Sequence, residues 1–464
     1  MKNTRIISLF LAFLFLFSGF FVIAGATSDD PAVTSGCHSV DAAMTLSTEE
    51  KLTDTAKAVV LYELNSDTML YTYNPDGKIY PTSMVKLMTA LVAIENGELD
   101  DMVTVTRSVL NQVPIGIVGI DLKAGEEISL RDLLYATMVA SATDASVVAA
   151  AHVGGSVEGF LQMMNDKAAE LGLTGTHYSN PVGLHDEGNY TTVRDVYTLM
   201  SYALKNETFK EVCGTSRYTI EATNMSGKRT LSTTNFLLDN TTNYYYQYAK
   251  GGKTGCTDEA GRCLASFASY NGYNYMCVLM NCPPNADKRY EFTESAELYR
   301  WAFNNFSFKE VANSTDPVCE MPVELSLDTD FVSLYFEKPF VTVLPNEADD
   351  STIVVKTKLK SESVEAPVKK GDVMGTADII YAEQVIGTVN LVAGDSIKES
   401  KLLVALKYVK SFFGSIYMKV VYALIVIAIV IFILMIIRLN MARIKKRRVK
   451  YIPYGKKKGD RNEH

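Results

Sequence analysis

Three short stretches hold the residues whose types and spacing could do chemistry: Ser83-Met84-Val85-Lys86, Ser141-Ala142-Thr143 and Lys253-Thr254-Gly255. A serine hydroxyl is a poor nucleophile at neutral pH, so a chain that uses one must place a base within hydrogen-bond reach. Apolar residues at helical spacing follow Ser83. Ser83 and Lys86 are therefore predicted to share one face of the first turn of a helix.

Lys86 is the candidate base of this pair. An amine buried near the positive N-terminal end of a helix has its charged form disfavoured, so it could take the proton of Ser83. Taken alone, the spacing fits an ordinary helix start with a solvated lysine equally well. The other two stretches favour catalysis, because together the three have the order of an acyl-transfer site.

Lys253-Thr254-Gly255 is predicted to lie at a strand edge, since Cys263 to Ala268 has the composition of a neighbouring strand. Such an edge offers a cation, a hydroxyl and open backbone to a peptide that ends in a carboxylate. A nucleotide-binding P-loop is excluded, because that motif needs a glycine where Gln247 stands.

Both ends of the chain indicate a membrane. Residues 1–26 combine two basic residues, an apolar run and small residues for cleavage, which predicts a secretory signal peptide with an uncleaved anchor as the alternative. Residues 420–437 carry no charge and are long enough to span a bilayer. Basic flanks stay in the cytoplasm, so we expect a single-pass cell-membrane protein with an extracellular catalytic part and a cytoplasmic tail at 438–464.

Charge is divided sharply along the chain. The tail at 438–464 carries a net +9, which leaves −17 on residues 1–437. An acidic ectodomain argues against binding polyanions. We expect no nucleic-acid partner, and the basic tail fits topology and anionic lipid better.

The seven cysteines are an odd number and too scattered for a disulfide scaffold, so their pairing stays open. Cys256 is either a reactive thiol or a residue whose backbone alone matters. The histidines show no metal-ligand spacing with the cysteines, so no metal and no other cofactor is expected.

The rest of the chain suggests further segments. A polar break near residue 312 follows a helical pattern, and beyond it alternation predicts strands at 332–336, 341–344, 352–355 and 389–393. We predict a linker at 27–46, a catalytic domain at 47–311, a small β-rich domain at 312–397 and an amphipathic juxtamembrane segment at 398–419.

Residues 47–311 resemble the D-alanyl-D-alanine carboxypeptidases, which are low-molecular-mass penicillin-binding proteins. The three motifs match in order, and two further stretches are similar to the family: Asn180-Pro181-Val182-Gly183-Leu184 with the threonine-rich segment that ends at Asp195, and Thr234-Asn235-Phe236-Leu237-Leu238. The resemblance implies an α+β penicilloyl-serine transferase domain, followed by the small β-rich domain and the C-terminal transmembrane helix.

The resemblance also implies the activity and its residues. A carboxypeptidase of this family removes the terminal D-alanine of a peptidoglycan stem peptide and is acylated by β-lactams. Ser83 would be the nucleophile, Lys86 the general base and Ser141 the proton relay. The backbone N–H groups of Ser83 and Cys256 would form the oxyanion hole, and substrate would be held by Lys253, Thr254 and Thr143, with Arg289 a further candidate for its carboxylate.

One residue departs from the family pattern, because Thr143 stands where asparagine is usual. Asparagine donates and accepts hydrogen bonds, whereas threonine has one hydroxyl on a stiff stem. Two alternatives therefore stay open beside the carboxypeptidase: a weakly active or non-catalytic protein that binds stem peptides, and a β-lactamase. The Tyr244-Tyr245-Tyr246 run either lines the cleft or packs in the core.

Overall fold

The structure is a computed structural model that describes residues 51–114, 117–284 and 287–448. The predicted signal peptide at 1–26, the linker at 27–46 and residues 449–464 of the tail lie outside the described residues.

The first half of the described chain mixes helices with an antiparallel sheet. Its strands are β1 Ala58–Glu63, β2 Thr68–Tyr73, β3 Met102–Thr104, β4 Glu127–Ser129, β5 Arg217–Ile220, β6 Arg229–Ser232, β7 Ala249–Thr257, β8 Gly261–Tyr270 and β9 Tyr273–Cys282. Its helices are α1 Val85–Asn96, α2 Arg107–Leu110, α3 Leu130–Val139, α4 Thr143–Val153, α5 Val157–Glu170, α6 Val193–Ala203, α7 Glu207–Gly214 and α8 Tyr290–Asn305, with 3-10 turns at Thr82–Met84 and Phe236–Leu238.

The main sheet has the strand order β2-β1-β9-β8-β7, and each neighbouring pair is antiparallel. One core cluster joins this sheet to α8, where Phe292 and Tyr299 are fully buried. The Tyr299 hydroxyl lies 2.9 Å from Ser266 Oγ, so its polar end is satisfied inside the core. Strand β7 is the edge of the sheet, and one row of its backbone groups is left free of sheet pairing.

Helix α1 is the centre of the helical region. Residues 85–93 of this helix are all buried, and it contacts α3, α4, α5, α6 and α7. A helix that is buried on every side is typical of a core position. The fixed axis of α1 therefore determines where Lys86 in its first turn, and Ser83 in the 3-10 turn before it, meet the sheet.

The second half of the described chain is a β-rich region with its own core. Its strands are β10 Phe306–Ala312, β11 Cys319–Glu324, β12 Phe331–Phe336, β13 Phe340–Pro345, β14 Ile353–Leu359, β15 Val364–Glu365, β16 Val373–Tyr381 and β17 Gln384–Ala393, with a 3-10 turn at Asp350–Thr352. Six of them form a sheet with the order β14-β16-β17-β12-β11-β15. Met321, Leu334 and Leu391 are among its buried residues.

Strands β10 and β13 connect the two halves by pairing with each other in an antiparallel ribbon. Val343 of β13 is fully buried and belongs to the core cluster of the main sheet rather than to that of the β-rich region. On the same strand, Thr342 Oγ1 lies 3.0 Å from Thr68 Oγ1 of β2. Apolar and polar contacts thus fix the β-rich region against the main sheet.

Two helices end the described chain, α9 Lys401–Gly414 and α10 Ile416–Arg448. Residues Ile416–Ala442 of α10 are long and apolar enough to cross a membrane, with a mean hydropathy of 3.5 in the most apolar stretch. Helix α10 includes the predicted span at 420–437, and α9 lies within the predicted amphipathic segment.

The predicted α+β fold class, with a β-rich region and a C-terminal apolar helix, is confirmed. Sequence reasoning missed β11 and β16. Strand β16 contains a glycine and an aspartate that weaken its strand pattern, and both are accommodated in its ladder with β14 and β17.

We expect Val343→Ala to lower the free energy of unfolding by about 1–3 kcal/mol, because it opens a cavity where the two halves meet. Val341→Ala is the matched control, since this valine of the same strand is 47% exposed and its truncation should change stability by less than about 0.5 kcal/mol. Chemical unfolding followed by the fluorescence of Trp301, the one tryptophan, measures both variants. Equal effects of the two variants would contradict a structural role of the buried valine.

Candidate active site

Ser83 lies in the 3-10 turn Thr82–Met84, which leads into α1. The sequence predicted Ser83 in the first turn of the helix, and the structure places it in the turn directly before that helix. This turn is pressed between two glycines. A Cβ at Gly183 would lie 1.8 Å from Thr82 O, and a Cβ at Gly255 would lie 1.7 Å from Thr82 Oγ1. Only glycine permits this approach, so the turn with the candidate nucleophile is held against β7 on one side and the Asn180-Pro181 loop on the other.

Ser83 is half-buried, and among the described residues its hydroxyl makes no hydrogen bond. Its backbone nitrogen would lie 3.2 Å from a Cβ at Gly255. The backbone N–H of Ser83 is therefore beside the segment of β7 that continues to Cys256. These are the two groups that the resemblance implies as oxyanion donors, and the side chain of Cys256 itself is exposed.

Ser141 and Thr143 lie at the start of α4, where Thr143 is the first helical residue. Ser141 has a φ of 56°, a left-handed conformation that costs a non-glycine residue about 1–2 kcal/mol. The Ser141 carbonyl accepts a hydrogen bond from Lys86 Nζ at 2.7 Å. Strained backbone held by such contacts is typical of functional sites.

Lys86 is 1% exposed and its amine is surrounded by oxygen atoms. Besides the Ser141 carbonyl, Nζ lies 3.4 Å from Ser141 Oγ and 3.3 Å from Thr143 Oγ1. Burial lowers the pKa of Lys86 to about 7, and the negative charge of Asp144 acts in the opposite direction. An amine with this pKa is substantially neutral at physiological pH, which a general base requires.

Lys253 approaches the same serine from β7. Its amine donates to Ser141 Oγ at 2.9 Å and to Thr254 O at 2.8 Å, and it is also 1% exposed. Burial first, and then repulsion from Lys86, holds the pKa of Lys253 well below its ordinary value. A carboxylate that entered beside Lys253 would favour its protonated form and leave Lys86 as the neutral amine.

Thr254 reaches a partner that sequence reasoning did not single out. Its hydroxyl lies 2.6 Å from the hydroxyl of Thr234, which precedes the 3-10 turn Phe236–Leu238. The Thr234-Asn235 stretch resembled the family, and this was the available signal. Two adjacent hydroxyls beside a buried lysine can hold a carboxylate with hydrogen bonds.

Other candidate residues have different surroundings. Arg289 Nε donates to Glu291 Oε1 at 2.6 Å, and its guanidinium lies over the rings of Phe236 and Phe292. Tyr246 is buried in the core and stacks on Tyr299, which favours packing for this member of the tyrosine run.

Six cysteines fall among the described residues, and all are unpaired there: Cys213, Cys256, Cys263, Cys277, Cys282 and Cys319. Burial raises the pKa of the Cys256 thiol, which does not favour a reactive thiolate. No group of His, Cys, Asp and Glu suited to a metal ion occurs within residues 51–114, 117–284 and 287–448.

Comparison with known proteins shows the family of the chain. The family model of D-alanyl-D-alanine carboxypeptidases matches residues 44–284, which are more than half of the chain. The chain belongs to the D-alanyl-D-alanine carboxypeptidase family. A second model, the C-terminal domain of penicillin-binding protein 5, matches residues 318–399.

Individual relatives agree with this family assignment. D-alanyl-D-alanine carboxypeptidase DacF of Bacillus subtilis is 28% identical over 360 residues, which cover 77% of this chain and 90% of the relative. The D-alanyl-D-alanine carboxypeptidase of Streptomyces sp. K15 is 34% identical over 233 residues, which cover 47% of this chain and 78% of the relative. Penicillin-binding protein 5 from Haemophilus influenzae has a solved structure that superposes with a TM-score of 0.60 at 27% identity, over 74% of this chain and 98% of that one.

The close packing of Gly183 against Thr82 predicts how a side chain at this position changes acylation by penicillin. Gly183→Ala should lower the rate of acylation by penicillin by about a hundredfold, because the methyl group must displace the turn that carries Ser83. Gly172→Ala is the matched control, since Gly172 also has a positive φ, of 69°, but no atom lies near its Cβ position. Stopped-flow or mass-spectrometric acylation rates test the pair, and normal acylation of the Gly183 variant would contradict the constraint.

The lowered pKa of Lys86 predicts the pH dependence of the same reaction. The neutral amine is lost as the pH falls through about 7, so the acylation rate should fall roughly tenfold per pH unit below that value and reach a plateau above it. Rates with benzylpenicillin, whose carboxylate stays ionised in this range, measure the part of the pH profile in which the rate falls with falling pH, which we call the acid limb. A limb centred near pH 10 would indicate a solvated lysine. Thermal unfolding over the same pH range checks that the protein stays folded.

Proposed function

We propose that this protein is a serine-type D-alanyl-D-alanine carboxypeptidase that removes the terminal D-alanine from peptidoglycan stem peptides. The observation that carries the proposal is the convergence of Lys86 and Lys253 on the Ser141 hydroxyl, beside the turn of Ser83, in a chain of this family.

The first half-reaction is acylation of Ser83. Its hydroxyl oxygen attacks the carbonyl carbon of the peptide bond between the two D-alanines, and neutral Lys86 takes the hydroxyl proton. The negative charge that develops on the carbonyl oxygen is stabilised by the N–H groups of Ser83 and Cys256. The position of Ser83 N, which would lie 3.2 Å from a Cβ at Gly255, supports this pair of donors.

The departing D-alanine needs a proton on its nitrogen. Ser141 passes the proton from Lys86 to this nitrogen, because its hydroxyl lies 3.4 Å from Lys86 Nζ and 2.9 Å from Lys253 Nζ. As the C–N bond breaks, the amine leaves protonated and an ester remains on Ser83. Water then attacks the ester with Lys86 as base, and hydrolysis returns the proton to Ser83.

Substrate binds along the free edge of β7 as an additional extended strand. Lys253 and Thr254 hold the terminal carboxylate, with Thr234 beside Thr254. A β-lactam presents a similar carboxylate next to a strained amide, so it acylates the same serine.

Thr143 takes part through its hydroxyl, which lies 3.3 Å from Lys86 Nζ. This contact keeps one function of the asparagine that is usual at the position, namely a polar partner for the lysine. Thr143 is 3% exposed, and its side chain, shorter than asparagine, extends less far towards the cleft. The retained contact with Lys86 favours a working carboxypeptidase over a non-catalytic binding protein.

The proposed location follows from the ends of the chain. Residues 1–26 direct export, and residues 420–437 of α10 span the cell membrane once with the basic tail at 438–464 in the cytoplasm. The catalytic domain at 47–311 and the β-rich domain at 312–397 then lie outside the cell. The segment at 398–419, which includes α9, lies at the membrane surface.

The test is intact-mass spectrometry of the full chain in detergent after exposure to benzylpenicillin, together with D-alanine release from a pentapeptide that ends in D-Ala-D-Ala. We expect one penicilloyl adduct on Ser83 and release of one D-alanine. Ser83→Ala should abolish the adduct and lower D-alanine release at least about a thousandfold.

Ser108→Ala is the matched control, because this serine is exposed and its loss should change neither readout. An adduct without peptide cleavage would favour the binding protein, and rapid turnover of penicillin would favour the β-lactamase. Absence of any adduct would overturn acylation of Ser83.

A further inference from the structure

Asp144, which follows Thr143, is hydrogen-bonded to two separate parts of the chain. Its carboxylate is 6% exposed and accepts hydrogen bonds from three backbone N–H groups: Ile120 at 3.0 and 3.1 Å, Leu122 at 3.2 Å and Ala145 at 2.8 Å. Two of these groups belong to residues 117–122, which we call the wall segment. Asp144 therefore fastens a distant loop to the first turn of α4.

The wall segment is joined to the active site by the backbone as well. Thr143 N donates to Val118 O at 2.8 Å, so the segment follows the start of α4. Hydrogen bonds run from Lys253 through Ser141 and Lys86 to Thr143, and from there to Val118. Val118 is 63% exposed, so an apolar side chain faces solvent one contact away from the candidate relay.

Gly119 shows how closely the two parts fit. A Cβ at this position would lie 2.7 Å from Asp144 Oδ2, which is closer than atoms can approach without movement. Absence of a side chain at Gly119 lets the carboxylate reach the N–H groups of Ile120 and Leu122. The glycine and the aspartate therefore form one contact.

Asp144 follows Thr143, whose hydroxyl lies 3.3 Å from Lys86 Nζ, so its charge is carried by the turn that contacts the catalytic amine. Its charge favours the protonated amine of Lys86, against the effect of burial. The other charged group that faces this amine is Lys253, across Ser141, and Cys213 lies beside Lys253. In a site with so few charges, removal of one carboxylate should change the proton affinity of Lys86 measurably.

We propose that Asp144 is a positioning residue with two roles: its hydrogen bonds hold the wall segment against the start of α4, and its carboxylate is the counter-charge in the turn that contacts Lys86. This inference rests on the proposed acylation of Ser83 and adds a group that does not touch the substrate. Asp144 acts through Lys86 and through the wall segment.

Two variants of the full chain in detergent separate these roles. Asp144→Asn keeps the size of the side chain and removes the charge. Because both carboxylate oxygens accept backbone N–H groups, its NH2 also costs one of these hydrogen bonds, so the position of its acid limb, and not its plateau rate, reports the charge. Gly119→Ala keeps the charge and forces the wall segment and the carboxylate apart. The readout is the rate of acylation by benzylpenicillin from pH 5 to pH 9, and thermal unfolding verifies that each variant is folded.

We expect the acid limb of Asp144→Asn to move to lower pH by roughly one unit, because the protonated amine has lost its counter-charge. The ratio of the rate at pH 5 to the plateau rate should therefore be about ten times larger in this variant than in the wild type. Gly119→Ala should keep the wild-type acid limb, while its plateau rate falls about tenfold because the wall segment is displaced.

The outcomes are distinct. An acid limb of Asp144→Asn at the wild-type pH would overturn the electrostatic role, since a purely structural carboxylate lowers rates without moving the limb. A wild-type plateau in Gly119→Ala would overturn the role of the wall segment. If the wild type forms no adduct, the proposed function fails and this inference fails with it, whereas an acylated wild type with two unaltered variants overturns this inference alone.

Discussion

Two amines buried together are the constraint on which the rest of the site depends. Lys86 and Lys253 are each 1% exposed and both contact Ser141 Oγ. A folded-state pKa of about 7 for Lys86, against 10.5 in solvent, corresponds to about 5 kcal/mol of folding free energy. Because the unfolded chain binds this proton more tightly, the stability is present above pH 10.5, falls as the pH falls towards 7 and is fully lost below pH 7. The fold must supply the difference elsewhere.

The surrounding structure provides that compensation through packing. Helix α1 is buried along its first nine residues, and its amine-bearing turn cannot retreat towards solvent. Ser141 has a left-handed backbone, which turns its carbonyl to Lys86. Gly183 and Gly255 let the turn of the proposed nucleophile lie against two other segments. The proposed catalytic groups come from three remote parts of the chain, and each is fixed by a contact that tolerates little change.

Part of this arrangement could be predicted from the sequence. Periodicity placed Ser83 and Lys86 at a helix start and Lys253 on a strand, and alternation located β12, β13 and β17. Local patterns suffice for such elements. The ribbon of β10 and β13, by contrast, depends on pairing across some thirty residues, which no local pattern encodes. The bonds of Asp144 to Ile120 and Leu122 are equally non-local. Arg289 looked free for a carboxylate, yet Glu291 two residues later engages it.

The ribbon of β10 and β13 has a mechanical consequence. Because Val343 belongs to the core of the main sheet, the two halves of the described chain are joined by buried side chains rather than by a flexible linker. The β-rich region then behaves as a rigid spacer, and the distance from Ser83 to the end of β17 is a constant of the fold. In the proposed membrane-anchored arrangement, such a spacer restricts the proposed nucleophile to a narrow layer above the lipid. The enzyme would select peptides by height as well as by chemistry.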